Sequence, residues 1–298
     1  MARLGLILPL TLFASTLAAL AKPGEPPDGA GPLLLMPDVL LQVEGVVESS
    51  GLIASPRNKG ILYTHNDSGG EPALYPLTTA GVRPQGRASG LASAIRVTGA
   101  RNRDWEDLAR DGSGGLVIGD FGNNGNRRRD LSLYRVDEPD PLTDAKTAPA
   151  RRIAFYYPEQ QAFPPAERAQ WAWDCEAFFV RDGHAWLITK HAAGGPAHLY
   201  AVDLEASEEP AAARRIQSLD LQGRATAADI SADGRHVYIL TYGGIWRFER
   251  GDDNTLSGGR RLPIVALQCE ALACLPDGRI AITNEQNGLY LLDASIFD

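Results

Sequence analysis

Short apolar runs separated by turn sequences recur along the whole chain. One phrase occurs five times: a pair of polar or small residues, an apolar run, a tight turn and a second apolar run. Its copies begin at Ser50-Gly51-Leu52, Glu106-Asp107-Leu108, Glu176-Ala177-Phe178, Ala228-Asp229-Ile230 and Glu270-Ala271-Leu272. The turn is Asp-Gly in four copies and Asn-Lys-Gly in the first. Because glycine tolerates the positive φ of a tight turn, the pattern predicts a series of β-hairpins.

Further β-rich runs follow each hairpin. A third run follows every copy, and a fourth follows the first four copies, in ASAIRVTG, RRIAFYYPE, RRIQSLDLQ and RRLPIVAL. The fifth copy has no fourth run, whereas DVLLQVEGVVE at 38–48 precedes the first copy and lacks a partner. Four-stranded repeats with a displaced terminal strand are typical of β-propellers. We therefore expect an all-β fold, a β-propeller of five four-stranded blades in which the N-terminal strand closes the last blade. Six blades are the alternative, because the second copy is long enough to hold irregular strands.

The first residues have the pattern of an export signal. Arg3 is followed by an uncharged apolar stretch at 4–20 and by small residues at positions 19 and 21. This pattern predicts a signal peptide over 1–21, a Pro/Gly-rich linker over 22–37 and a single propeller domain over 38–298. A retained membrane anchor is less favoured, because the apolar stretch is short for a membrane span. We expect a periplasmic or secreted protein with no membrane span after cleavage.

The amino-acid composition limits which partners and which cysteine pairings we expect. The formal net charge is −8, which argues against nucleic acid as a partner and is compatible with cation binding. We expect a monomer that binds a small molecule or a protein ligand at one propeller face. Cys175, Cys269 and Cys274 are an odd number for an exported chain, and we expect largely buried thiols.

Propeller geometry places the predicted site at one mouth of the central channel. The start of the first strand and the end of the second strand of each blade lie on the same face, so acids at these positions converge. So many carboxylates repel one another unless protons or a cation neutralise them. Oxygen-rich surroundings favour Ca²⁺, with Mg²⁺ and Mn²⁺ still open. The predicted metal ligands are Glu106, Asp107, Glu176, Asp229, Glu270, Asn66, Asp120 and Asn284. Under the alternative, these residues bond backbone amides of the neighbouring blade and hold the channel together.

Other polar residues of the same face are candidates for chemistry or ligand contact. His65, His191 and Lys190 are candidate acid/base or anion-binding groups, although a lone histidine is more often structural. Trp171 and Trp173 lie in FPPAERAQWAWD, which connects the second and third repeats, and could form a ligand-binding wall or pack the connection. Asp67 is a further candidate for ligand binding.

Two short motifs resemble known propeller families. The segment WEDLA with the following GLVIGD resembles the Glu-Asp-Leu segment of paraoxonase-like propellers, and NGLYLLD is similar to the strand phrase of gluconolactonase and SMP-30-type proteins. The resemblance implies a calcium ion in the channel with Glu106 and Asp107 as ligands, and Asn66 or Asn284 as further oxygens. It also implies six blades.

Two functions are consistent with these features. The first is an exported propeller that binds a divalent cation and a ligand at the channel mouth. The second is a metal-assisted hydrolase of a small ester, lactone or phosphoester.

Overall fold

The structure of the protein is a computed structural model that describes residues 31–85, 94–142, 146–191, 194–207 and 209–298. The expected signal peptide and residues 22–30 of the expected linker lie outside this part. No helix in the described ranges is long and apolar enough to cross a membrane.

The described residues form 22 strands and two short 3₁₀ helices. The strands before the second repeat are β1 (Leu33–Leu34), β2 (Val39–Leu40), β3 (Ser49–Ala54), β4 (Ile61–Asn66), β5 (Ala73–Thr78) and β6 (Ile95–Thr98). The next are β7 (Trp105–Arg110), β8 (Gly115–Asp120), β9 (Ser132–Asp137), β10 (Thr147–Tyr156), β11 (Asp174–Arg181), β12 (His184–Lys190), β13 (Ala197–Asp203), β14 (Ala211–Ala212) and β15 (Arg214–Leu219). The last are β16 (Ala225–Ile230), β17 (His236–Thr241), β18 (Gly244–Arg250), β19 (Leu256–Val265), β20 (Cys269–Cys274), β21 (Arg279–Asn284) and β22 (Gly288–Asp293), and the helices are Arg168–Gln170 and Ala294–Phe297.

Strand pairing groups twenty of these strands into units of four antiparallel strands. We call these units blades 1 to 5: β3–β6, β7–β10, β11–β13 with β15, β16–β19, and β20–β22 with β2. Blades 1 and 2 are joined by parallel pairing of their outermost strands, β6 and β10. The strands left over, β1 and β14, pair in parallel with the outer strands β19 and β10.

The hydrophobic core lies between the blades. Within the described residues, five clusters of buried side chains each join two neighbouring blades, and the cluster of Leu52 and Ala271 joins blade 5 back to blade 1. The inner strands β3, β7, β11, β16 and β20 contact one another around the same ring. The predicted β-propeller is therefore confirmed.

The N-terminal segment closes blade 5 over a shorter stretch than predicted. Val39 and Leu40 pair with Leu289 and Gly288 of β22, and the Leu41 amide donates to the Asn287 carbonyl. From there the chain leaves blade 5, and Gln42 bridges to Val82 of blade 1. The described end of the expected linker also lies against the propeller, because β1 extends blade 4.

Every inner strand has a β-bulge at the same place. Ladder register shifts after Ser49, Trp105, Cys175, Ala225 and Cys269. The residues in the bulges are Ser50 with Gly51, Glu106 with Asp107, Glu176, Thr226 and Glu270. A bulge turns side chains away from the regular alternation of the strand, and here it brings polar side chains to the channel.

The bulges also correct the alignment of the fourth repeat. The residue of blade 4 that matches Asp107 is Ala227, so Asp229 lies two residues further along its strand, roughly 7 Å deeper in the channel. There Asp229 accepts backbone N–H groups from Ile230 and Cys274, both at 2.8 Å, and pairs with Arg110 at 3.2 Å. Asp229 is thus part of the channel interior and does not join the mouth.

Asp107 is likewise held inside the channel by backbone donors. Its Oδ2 accepts the amides of Phe178 in blade 3 and Ala228 in blade 4 at 3.2 and 3.0 Å, and its Oδ1 accepts the Leu108 amide at 2.8 Å. Burial raises the pKa of this carboxyl well above its usual range, while the three amides oppose the rise. For Asp107 and Asp229 the geometry fits the alternative considered from the sequence, in which acids bond the backbone of neighbouring blades.

We predict that loss of β2 destabilises the ring. A chain that begins at Val43 lacks β2 and the buried Leu41, whereas a chain that begins at Asp38 keeps both. Burial of one leucine contributes about 1.5–3 kcal/mol, so the shorter chain should lose at least about 1.5 kcal/mol of unfolding free energy relative to the longer one. Urea unfolding followed by tryptophan fluorescence measures the difference, and equal midpoints would show that blade 5 does not need its fourth strand.

We also predict that Asp107→Asn is destabilising. The amide nitrogen would face a backbone N–H donor, and a buried donor without an acceptor costs about 1–3 kcal/mol. Asp252→Asn, at an exposed position, is the matched control and should change stability by less than about 0.5 kcal/mol. Thermal and urea unfolding of both variants test this, and similar stabilities for the two would contradict the structural role of Asp107.

Candidate functional site

A polar cavity of about 350 Å³ opens where the inner strands begin. All five blades contribute to it, and its lining contains seven carboxyl side chains but only two cationic ones within the described residues. The lining residues are Glu48, Ser49, Ser50, Asp67, Ser68, Asp104, Glu106, Asn124, Glu176, Lys190, Arg224, Tyr242, Gln268, Glu270 and Glu285. Of the predicted site residues, Asp67, Glu106, Glu176, Lys190 and Glu270 meet here.

Three of these carboxylates form a compact cluster. One oxygen from each of Asp67, Asp104 and Glu106 lies within 4.8 Å of the other two. Glu106 is only 8% exposed and lines the cavity, and no hydrogen bond or ion pair joins its carboxylate to another residue that the structure describes. Gly122 packs directly against the cluster, since a Cβ there would overlap the carboxylates of Glu106 and Asp104. The cluster therefore has the composition and the open space of a site for a hard cation.

Hydrogen bonds of the turn after β8 hold the carboxylate cluster in position. Arg128 is buried and donates to the Asp120 carboxylate at 2.9 Å and to the Gly122 carbonyl at 2.8 Å. Asp120 in turn accepts the backbone amide of Asp104 at 3.1 Å, and the Gly122 amide donates to the Asp104 carbonyl at 3.2 Å. Asp120 was predicted as a metal ligand, but its carboxylate forms an ion pair with Arg128 and holds the backbone of Asp104 in place.

Burial and mutual repulsion raise the pKa values of three mouth carboxyls, Glu106, Asp104 and Glu176. Burial raises the pKa of Glu106 well above its usual range, and Glu176 and Asp104 raise it further. Burial raises the pKa of Asp104 to about 6, opposed by the nearby Arg128. The pKa of Glu176 rises to about 8, chiefly through burial and then through Asp174, while Lys190 opposes the rise. A cation at the cluster would offset this repulsion.

A second part of the cavity wall contains its two cationic side chains. Lys190, at the end of β12, forms an ion pair with Glu176 at 2.6 Å and donates to the Tyr242 hydroxyl at 3.3 Å. Arg224 lines the cavity just before β16. This wall belongs to blades 3 and 4, whereas the carboxylate cluster belongs to blades 1 and 2.

The side chains of the two asparagines that were predicted as metal ligands form hydrogen bonds outside the cavity. The Asn66 side chain accepts the Val47 amide at 2.9 Å and donates to the Gly45 carbonyl at 2.7 Å. The Asn284 side chain accepts the Gly288 amide at 2.7 Å and donates to the Tyr290 hydroxyl at 2.8 Å. Their amides fix the chain at the strand ends, and neither residue lines the cavity.

The predicted histidines do not line the cavity either. His65 is buried, with its edge against the Trp105 ring and its Nδ1 2.9 Å from the Asn66 carbonyl. Burial lowers the pKa of His65 to about 4, so this ring is neutral at physiological pH. Position 51 must be glycine, because a Cβ at this position would overlap the His65 imidazole. His191 Nδ1 accepts the Gly195 amide at 3.1 Å.

The two tryptophans pack the connection between blades 2 and 3, which is the second of the two roles considered for them. Trp171 donates to the Pro165 carbonyl at 3.0 Å, and Trp173 packs against the core cluster that joins these blades. All three cysteines are unpaired and buried, as expected.

The sequence contained a signal for Asp104 that the repeat phrase did not use. Alternate residues of a strand point to the same face, and Asp104 lies two positions before Glu106. The same spacing precedes the bulge in every blade, at Glu48, Asp104, Asp174, Arg224 and Gln268. Four of these five residues line the cavity.

Comparisons with known proteins give similarity of structure only. No family model and no curated protein sequence matches the chain. Structures similar to it include a nidogen/laminin complex (11% identity, TM-score 0.46, 85% of this chain and 78% of that one). A gluconolactonase from Xanthomonas campestris has 11% identity and a TM-score of 0.46, over 84% of this chain and 77% of that one. A glucose dehydrogenase has 10% identity and a TM-score of 0.45, over 83% and 96%. At this level the similarities carry no argument about activity.

Proposed function

We propose that this protein binds a divalent cation at Asp67, Asp104 and Glu106, and holds a small ligand beside the cation in the channel mouth. The observation that carries the proposal is Glu106. A buried carboxylate without a hydrogen-bond donor or a cation is costly, and a bound ion would remove that cost.

Calcium fits the donor set best. The cluster offers only oxygen atoms, which are the ligands that Ca²⁺ prefers. Oxygens bound to one calcium ion at about 2.4 Å lie at most about 4.8 Å apart, and the three carboxylates already meet this limit. Mg²⁺ and Mn²⁺ also accept oxygen ligands and belong in the same titrations. With export to the periplasm or beyond, which we also propose, affinities of about 0.1–1 mM would suffice, as in extracellular calcium modules.

The shape of the site favours a small molecule over a protein partner. Ligand pockets typically enclose about 300–1,000 Å³, and this cavity lies at the lower end of that range. A bound divalent cation would contribute direct coordination of a ligand oxygen and polarisation of that oxygen.

Binding is better supported than metal-assisted hydrolysis of an ester, lactone or phosphoester. Neither His65 nor His191 is among the cavity-lining residues that the structure describes. Although burial opposes it, the ion pair with Glu176 raises the pKa of Lys190, which makes Lys190 a poor proton donor or acceptor. Hydrolysis therefore stays the second candidate.

We predict that calcium stabilises the protein through Glu106. At one hundred times its dissociation constant, calcium should add about 2.7 kcal/mol to the free energy of unfolding. Glu106→Gln should abolish this gain and should raise the stability of the metal-free protein, because it removes a repelling buried acid. Glu167→Gln, at an exposed position, should behave as the wild type. Thermal melting with EDTA and with added calcium measures all three.

A rise in melting temperature with calcium that is equal in wild type and Glu106→Gln would exclude the cluster as the site. The same preparations, assayed on aryl esters, lactones and nucleotides, distinguish the two functions. Turnover that disappears in Glu106→Gln would favour the hydrolase.

A further inference from the structure

The two cationic side chains of the cavity come from other blades than the proposed cation site. Asp67 ends the second strand of blade 1 and Asp104 with Glu106 begins blade 2, whereas Lys190 comes from blade 3 and Arg224 from blade 4. A ligand in the cavity could therefore contact a metal ion together with an ammonium and a guanidinium group.

Lys190 retains donor capacity in this position. An ammonium group has three N–H donors, and Glu176 and the Tyr242 hydroxyl occupy two of them. No described residue accepts the third, although the Lys190 side chain is only 9% exposed and lines the cavity. A buried ammonium with an unused donor favours an acceptor from the ligand.

Charge in the cavity makes an anion depend on the cation. An anion alone would meet seven carboxyl side chains against two basic ones. A divalent ion at the cluster offsets two of those charges at the place where blades 1 and 2 are most acidic. The anion can then bind the cation directly as well as the two basic side chains, and close opposite charges in a partly buried site attract strongly.

We propose that the cavity binds a small oxyanion, a phosphoryl or carboxylate group, that bridges the bound cation and the pair Lys190 and Arg224, and that it does so only when the cation is present. This inference rests on the proposed function and specifies the ligand class of the same site. Arg224 is suited to the role, because a guanidinium presents a planar fork of donors to oxyanions.

Thermodynamic linkage supplies the test. Isothermal titration calorimetry measures calcium binding alone, with methylphosphonate and with acetate as probes, and measures each anion with and without calcium. Saturating anion should tighten calcium binding at least about fivefold, and calcium should tighten that anion by the same factor. Coupling with methylphosphonate identifies a phosphoryl ligand, and coupling with acetate identifies a carboxylate.

Variants of the basic wall locate the effect. Lys190→Met and Arg224→Met should each reduce the coupling factor towards one, and should tighten calcium binding alone because a repelling charge is lost. Lys190→Met leaves Glu176 buried without its partner, so the double variant Glu176→Gln with Lys190→Met removes the ion pair as a unit and should lose the coupling while folded. Lys59→Met, at an exposed position outside this cavity, should keep the wild-type coupling factor.

The outcomes separate the two proposals. Calcium binding that depends on Glu106 but is unchanged by both anions overturns the oxyanion site and leaves the cation site standing. Equal affinity for an anion with and without calcium also overturns the bridge. Absence of calcium binding in the wild type overturns both.

Discussion

Unpaired backbone amides along the inner strands are the constraint on which the channel depends. Each inner strand is the edge of its sheet and forms no ladder with the inner strand of the next blade. Edge strands carry free N–H groups, and these need acceptors when the strands are buried in a ring. Asp107 and Asp229 supply acceptors to the inner strands of blades 3, 4 and 5, so two carboxylates hold strands that have no ladder hydrogen bonds between them.

The same constraint divides the acids of the channel into two groups. Deep in the channel, three backbone amides donate to Asp107, and two backbone amides and Arg110 donate to Asp229. At the mouth, no backbone amide of the described residues donates to the Glu106 carboxylate, which lies beside the carboxylates of Asp67 and Asp104. A carboxylate that is buried without donors must take up a proton or a cation. The proposed function follows from this difference in surroundings and not from the number of acids.

The repeat was sufficient to predict the fold, and the site only in part. Recurrence of the strand phrase predicted the propeller and the closing N-terminal strand, because hairpin turns and apolar runs are local properties. The repeat phrase aligned Asp229 with Asp107, which was wrong. An Asp between apolar residues fits the phrase at two positions that are two residues apart, and only the position of the bulge shows which alignment is right. Sequence also placed Asn66 and Asn284 near the mouth without showing that their amides face the turns.

Separation of the two groups of acids means that the site can be altered without loss of the fold. The strand contacts of Asp107 lie below the mouth, and Ser50 bonds the backbone carbonyl of Glu106 and not its side chain. Changing the Glu106 carboxyl to an amide therefore removes no contact between blades, and it relieves the repulsion from Asp104 and Glu176. A loss of binding together with unchanged or increased stability can only come from the chemistry of the mouth, which is why the cation and oxyanion experiments are decisive at this position and would not be at Asp107.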